Sequence, residues 1–226
     1  MLLTIPDILS TAQLKEFREV LGQARWVDGR TTAGHFAAEV KRNQQLAPDD
    51  PGGARLADIL LDALAREPLF VSATLPLKVL PPRFNRYEGG GEYGLHVDGA
   101  VLSVPGTSHR VRTDVSATVF ISDPADYDGG ELIIEDVYGP RTVKLPAGHM
   151  VLYPGTSLHR VTPVTRGTRL ASFFWVQSLV QDQQQRTLLF ELDSSIRRLA
   201  ARLPGDPELD RLTAVYHNLV RRWAST

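Results

Sequence analysis

Apolar residues recur at helical spacing near both ends of this chain and at strand spacing in between. In residues 11–24, Leu14, Phe17, Val20 and Leu21 fall on one helix face, with Ser10 or Thr11 placed to cap it. Leu56, Ile59, Leu60 and Leu64 predict a second helix over 52–68. The polar stretch 27–50, punctuated by Gly29, Gly34 and Pro48, does not decide between an extended segment and a lid for 37–46. From Leu75 the texture changes. Short runs rich in Val, Ile, Phe and Tyr predict strands over 77–88, 92–98, 112–121, 131–136, 141–145, 149–153, 158–163 and 168–180. Asp128-Gly129-Gly130 and Tyr138-Gly139-Pro140 supply turns. Strands this short and closely spaced favour a β-sandwich or barrel over alternating strand–helix units.

The tail from Asp182 to Trp223 returns to helical periodicity. Leu188, Leu189, Leu192, Ile196, Leu199 and Leu203 form one stripe; Leu209, Leu212, Val215, Tyr216, Leu219 and Trp223 form another. Residues 203–207, Leu-Pro-Gly-Asp-Pro, separate them, so a helical hairpin is expected. Its apolar faces need cover, from the chain's own domain or from a second copy. The expected organisation is a main domain over 1–180 with N-terminal helices, and a C-terminal helical extension over 181–226.

Composition narrows the chemistry. With 25 basic and 26 acidic residues the net charge is −1, which gives no global attraction to nucleic acid or an anionic membrane. Six arginines against three acids in 197–226 are too small an excess to alter that. There is no cysteine, so disulfides, thiolate metal sites and cysteine nucleophiles are excluded. A metal would have to be held by His, Asp, Glu or backbone oxygen. The apolar run at the N-terminus lacks a basic flank and breaks at Pro6-Asp7; neither a signal peptide nor a membrane span is expected, and the cytoplasm is the expected compartment.

The chemistry centres on residues 85–98, NRYEGGGEYGLHVD. On a strand, His96 and Asp98 project to the same face, giving a metal one imidazole and one carboxylate. A third ligand must come from elsewhere. Of the six histidines, His159 stands out, between a Pro-Gly turn and a strand that leads to Arg169. His109 falls in a polar loop, His149 at a strand start, and His217 on the tail helix; His35 is unplaced, with a lid role conceivable. Two histidines and a carboxylate on one face of a metal are the ligand set of non-haem iron(II) oxygenases, although catalytic zinc accepts the same groups. Arg169 favours the first reading. If 2-oxoglutarate chelates iron through its 1-carboxylate and keto oxygen, its far carboxylate needs a buried, two-pronged cation. Gly89, Gly91 and Gly94 also satisfy G-x-G-x-x-G, with Asp114 twenty residues beyond Gly94. The continuation Leu95-His96-Val97-Asp98-Gly99 is no helix, so a dinucleotide site is not expected.

On these residues the chain resembles the PKHD-type hydroxylases, a bacterial group related to prolyl and lysyl hydroxylases in the Fe(II)/2-oxoglutarate dioxygenase superfamily. The matching stretches are Phe84-Asn85-Arg86-Tyr87-Glu88 with Gly94-Leu95-His96-Val97-Asp98, then Asp128-Gly129-Gly130-Glu131-Leu132, and Tyr153-Pro154 leading through His159 to Arg169. Gln44-Gln45-Leu46 and the helical tail extend the likeness nearly end to end. The resemblance implies a double-stranded β-helix, or jelly roll, with helices packed on one sheet. It implies iron(II) held by His96, Asp98 and His159, 2-oxoglutarate anchored by Arg169, and L-ascorbate as a further cofactor. By the same analogy Tyr87 lies near the cosubstrate and Tyr93 lines the substrate entrance; for Tyr87 a packed strand tyrosine is the competing reading.

The implied activity is hydroxylation of an unidentified substrate by dioxygen and 2-oxoglutarate, with release of succinate and carbon dioxide. A cupin-like metalloenzyme that ignores 2-oxoglutarate is the alternative. A ligand-binding jelly roll with a vestigial site is a third. Loops over 27–50 and 103–114 are placed to select the substrate, and their composition does not say which.

Overall fold

Strands of the larger sheet bury both faces, because the smaller sheet faces one side and helices cover the other. The computed structural model describes residues 1–32, 38–104 and 106–225; His35 lies outside them. In chain order come β1 (Leu3–Ile5), α1 (Thr11–Gln23), β2 (Trp26–Asp28), β3 (Lys41–Arg42), β4 (Gln44–Leu46), α2 (Pro51–Ala65), α3 (Pro68–Thr74), β5 (Pro76–Val79), β6 (Arg83–Glu88) and β7 (Glu92–His96). The hairpin β8 (Val101–Ser103) and β9 (Arg110–Arg112) follows, then β10 (Val115–Phe120), β11 (Tyr127–Gly129), β12 (Leu132–Ile134), β13 (Arg141–Val143), β14 (Met150–Pro154), β15 (His159–Val161) and the long β16 (Val164–Ser178). Two tail helices, α4 (Gln183–Arg202) and α5 (Pro207–Trp223), complete the described chain.

Among the described residues the larger sheet runs β1-β14-β10-β16-β6-β4-β2, with β11 and β5 also on β16. The smaller runs β13-β12-β15-β7-β3. The pairings within both sheets are antiparallel. Strand alternation sorts the larger sheet's side chains. Phe84, Ala117, Val119, Leu152, Phe174 and Val176 join Phe17, Leu21, Leu56 and Leu60 in the core beneath the helices. Tyr87, Phe120, Val151 and Tyr153 point the other way and meet Leu132, Ile134, Val143 and Val161 of the smaller sheet. This is the jelly roll with flanking helices that the motifs implied.

Local signals explain where elements start and stop. Ser10 caps α1 in a reciprocal capping box with Gln13. The helix expected over 52–68 is α2, which stops at Ala65, and a short further helix, α3, follows it. Pro68 has no N–H to continue α2, so the helix ends at Ala65 with Arg66 as its cap, and α3 starts with the Glu67 side chain accepting from Leu69 N. Pro81-Pro82 likewise divide the strand expected over 77–88 into β5 and β6. The undecided stretch 37–46 is extended from Lys41 onward. The strand expected over 92–98 stops at His96, so Asp98 lies just beyond it.

The tail hairpin packs on its own chain. Leu189 is buried with Leu75 and Val180, and Tyr216, Leu219, Val220 and Trp223 pack against them. Leu188, Leu203 and Val215 stay exposed. No described helix is long and apolar enough to cross a membrane.

Leu60 is fully buried between α2 and the larger sheet. Leu60→Ala should lower unfolding free energy by about 2–5 kcal/mol in chemical denaturation, through lost transfer energy and a residual cavity. Val215→Ala, on an exposed helix face, should stay within about 0.5 kcal/mol of the parent. Equal losses at the two positions would contradict this placement of the core.

Candidate metal and cosubstrate site

The two histidines meet because β7 and β15 are neighbours. His96 and His159 are directly paired across them, and their rings lie 4.2 Å apart. Each ring is oriented from behind. His96 Nδ1 lies 2.7 Å from the Gly94 carbonyl oxygen and His159 Nδ1 lies 3.0 Å from that of Ser157. A carbonyl can only accept, so both Nδ1 atoms carry the proton and both Nε2 lone pairs face outward, as metal-ligating histidines require.

Asp98 reaches the same point without being on a strand. Its Oδ2 accepts from Ser116 Oγ on β10 at 2.7 Å and from Trp175 Nε1 on β16 at 2.8 Å. Its Oδ1 is left 3.9 Å from His96 Nε2 and 3.8 Å from His159 Nε2. The three donor atoms lie within 4.8 Å of one another, close enough that small side-chain movements would draw them onto one ion with ligand bonds near 2 Å. The donor set, two neutral imidazoles and one carboxylate, fits iron(II) and leaves coordination positions for other ligands.

Arg169 lies on β16, paired with Tyr87 on β6, and the Arg169 side chain is 1% exposed. The guanidinium is flanked by the rings of Tyr87 and Phe120, 5.3 and 5.2 Å from their centroids. Its Nε has no hydrogen-bond partner, and among the described residues no carboxylate or carbonyl reaches it. A buried cation with a donor unmet is unusual unless an anion completes it. Gly130 lets the stem pack. A Cβ there would come within 3.0 Å of Arg169 Cδ and 2.9 Å of Tyr127 and Val164, at a positive φ of 66°. The Asp-Gly-Gly motif thus shapes the wall beside Arg169 as well as making a turn.

These groups line one cavity of about 630 Å³ between the sheets. It contains His96, Asp98, His159, Arg169 and Tyr87, with Tyr93, whose ring stacks on His96 at 3.5 Å. His109 and His217 are exposed elsewhere. Ser116 and Trp175, which hold Asp98, carry no sequence signal of their own; only the pairing of β10 with β16 puts Ser116 opposite Trp175. Lys41 and Arg83 also line the cavity, and sequence reading gave them no role.

A fold and site of this kind define an oxygenase of the iron- and 2-oxoglutarate-dependent class, and residues 82–177 match the model of the 2OG-Fe(II) oxygenase superfamily. Residues 183–225 match the PKHD-type hydroxylase C-terminal domain. A PKHD-type hydroxylase from Parvibaculum lavamentivorans is 62% identical over 226 residues, covering all of both chains. The chain therefore belongs to the PKHD-type hydroxylases, and its activity is that of an Fe(II)/2-oxoglutarate-dependent dioxygenase that hydroxylates a substrate with release of succinate and carbon dioxide. Two solved structures share the fold. A Pseudomonas putida prolyl-4-hydroxylase is 21% identical with a TM-score of 0.51, over 78% of this chain and 92% of that one. HygX from Streptomyces hygroscopicus, solved with nickel, 2-oxoglutarate and hygromycin B bound, is 20% identical with a TM-score of 0.53, over 78% of this chain and 82% of that one.

Burial, and then the neighbouring His159, push the His96 imidazole down from 6.5 to about 4. Between those values the unfolded chain binds the proton first. The metal-free fold should therefore lose stability as pH falls from 6.5 toward 4, by up to about 3 kcal/mol from this group. Chemical denaturation of metal-free protein at pH 7 and pH 4.5 should show part of the acid loss disappearing in His96→Gln. An identical pH dependence in both proteins would contradict the neutral, buried imidazole.

Proposed function

We propose that His96, Asp98 and His159 hold the iron(II) and that Arg169, with Tyr87 beside it, receives the distal carboxylate of 2-oxoglutarate. The observation that carries the reading is the buried guanidinium without an anion, in the same cavity as two imidazoles and a carboxylate aimed at one point. When bound, iron(II) with 2-oxoglutarate and dioxygen supplies the oxidising chemistry. The chain's own contribution is geometric and electrostatic.

Ser116 and Trp175 hold one carboxylate oxygen of Asp98 and leave the other toward the histidines. Gly94 and Ser157 carbonyls fix the imidazole orientation. Arg169 is always charged, and its planar fork suits a carboxylate. Burial raises the pKa of the Tyr87 hydroxyl, so Tyr87 stays a neutral donor. Apolar walls from both sheets exclude water from the reacting centre. A cupin-like enzyme that ignored 2-oxoglutarate would leave the buried Arg169 guanidinium with an unmet donor and only the longer-range field of Glu131 against its charge. We further propose L-ascorbate as a cofactor that keeps the iron reduced, and the cytoplasm as the compartment.

Asp98→Ala and His159→Ala should abolish iron-dependent succinate release. Arg169→Ala should raise the 2-oxoglutarate concentration needed for half-maximal turnover by roughly 10–100-fold, the effect of losing a charge-assisted pair. An unchanged 2-oxoglutarate requirement in Arg169→Ala would refute the cosubstrate assignment. Gly130→Ala should raise the same requirement more modestly, because the added methyl displaces the Arg169 stem.

A further inference from the structure

A second guanidinium faces the cavity. Arg83, Asn85 and Tyr87 alternate along β6 and all three line it. Arg83 pairs across the sheet with Phe173, whose next inward neighbour on β16 is Trp175, the donor to Asp98. The strand rise puts Arg83 roughly 13 Å along β6 from Tyr87, away from the Arg169 end, and roughly 7 Å along the sheet from the level of Trp175. It lies on the same wall of the cavity, at a level between Arg169 and Trp175.

Arg83 is half-buried, and among the described residues its guanidinium has no hydrogen bond and no ion pair. Burial lowers its pKa without removing its charge. Lys41, also buried and lining the cavity, sits 5.1 Å from the Tyr93 ring centroid. Burial, and then repulsion from Arg83, push Lys41 down to about 8, with Asp98 and Asp28 acting in the opposite sense. Two cations thus press on each other inside a low-dielectric cavity, a cost that a bound anion would relieve.

On the reading given above, Asp98 and the two carboxylates of 2-oxoglutarate balance iron(II) and Arg169. The charge of Arg83 is left without a match, and Lys41 adds a second, partly balanced cation facing the same cavity. Beside Arg83 is an apolar surface: Phe173 packs edge-on against Trp175 at 5.5 Å, and Leu102 lies beside them.

We propose that Arg83, supported by Lys41, is the specificity-determining anchor for a single carboxylate on the substrate, whose apolar body lies against Phe173 and Leu102. This rests on the assignment of Arg169 to 2-oxoglutarate. The substrate class is a carboxylic acid with an apolar body, such as an acylated amino acid or the C-terminus of a peptide.

The test uses the whole protein loaded anaerobically with manganese(II) and 2-oxoglutarate, which holds the site without turnover. Isothermal titration compares a panel of N-acetyl amino acids with their carboxamides and with phosphomonoesters of similar size. At least one acid should bind about tenfold or more tighter than its amide. Arg83→Gln should bring the acid within twofold of the amide, and Arg83→Lys should keep part of the preference. The affinity for 2-oxoglutarate should move less than twofold in both variants. The absence of any acid-over-amide preference, no binding included, overturns the proposal. So does a preference that survives in Arg83→Gln, or phosphomonoesters binding tighter than acids. Loss of 2-oxoglutarate binding in Arg83→Gln would move this guanidinium to the cosubstrate and also overturn it. Failure of the unmodified protein to bind 2-oxoglutarate would instead strike the reading of Arg169.

Discussion

One carboxylate joins the two sheets at the centre of this molecule. Asp98 leaves the end of β7 in the smaller sheet and is caught by Ser116 and Trp175 of the larger. Two donors fix one oxygen, and the other faces the two histidines. A carboxylate this far out of water would be costly without such partners. With them it is rigid and aimed. The histidines need less, since they face each other across a strand pair and each takes its orientation from a carbonyl two residues back.

The cavity's remaining charges follow from its construction between two apolar layers. Arg169 is accommodated because Gly130 leaves room for its stem and aromatic rings flank its head. Its unmet donor is stored electrostatic potential, placed where a carboxylate can use it. Arg83 repeats the pattern at the other end of the same strand pair, with less burial and an apolar surface beside it. A cavity that places two guanidiniums at separate points along one wall beside a metal centre is arranged to hold two acids in a fixed relation. That is the proximity an oxygen-transfer reaction needs.

Much of the architecture could be read from residue order. Periodicity marked α1, the two tail helices and most strands of the jelly roll, because those segments bury one face or alternate cleanly. It failed where proline cut a continuous apolar run, at Pro68 and at Pro81-Pro82, and where edge strands such as β1, β2 and β3 are too short to show a period. His96, Asp98, His159 and Arg169 were legible as candidates through their spacing and the company they keep. The strand argument for Asp98 was inaccurate, since β7 ends at His96. Ser116, Trp175, Lys41 and Arg83 were not legible. Their proximity comes from pairing of β10, β16 and β6 and of β3 with β7, across long stretches of chain, and no local pattern reports that.

The most direct test of the account is optical. Iron(II) added anaerobically to the metal-free protein, followed by 2-oxoglutarate, should give a visible charge-transfer absorption that saturates at one iron per chain and is absent in Asp98→Ala. A protein that binds 2-oxoglutarate without that absorption, or shows it undiminished in Asp98→Ala, would contradict a shared metal centre at these three side chains.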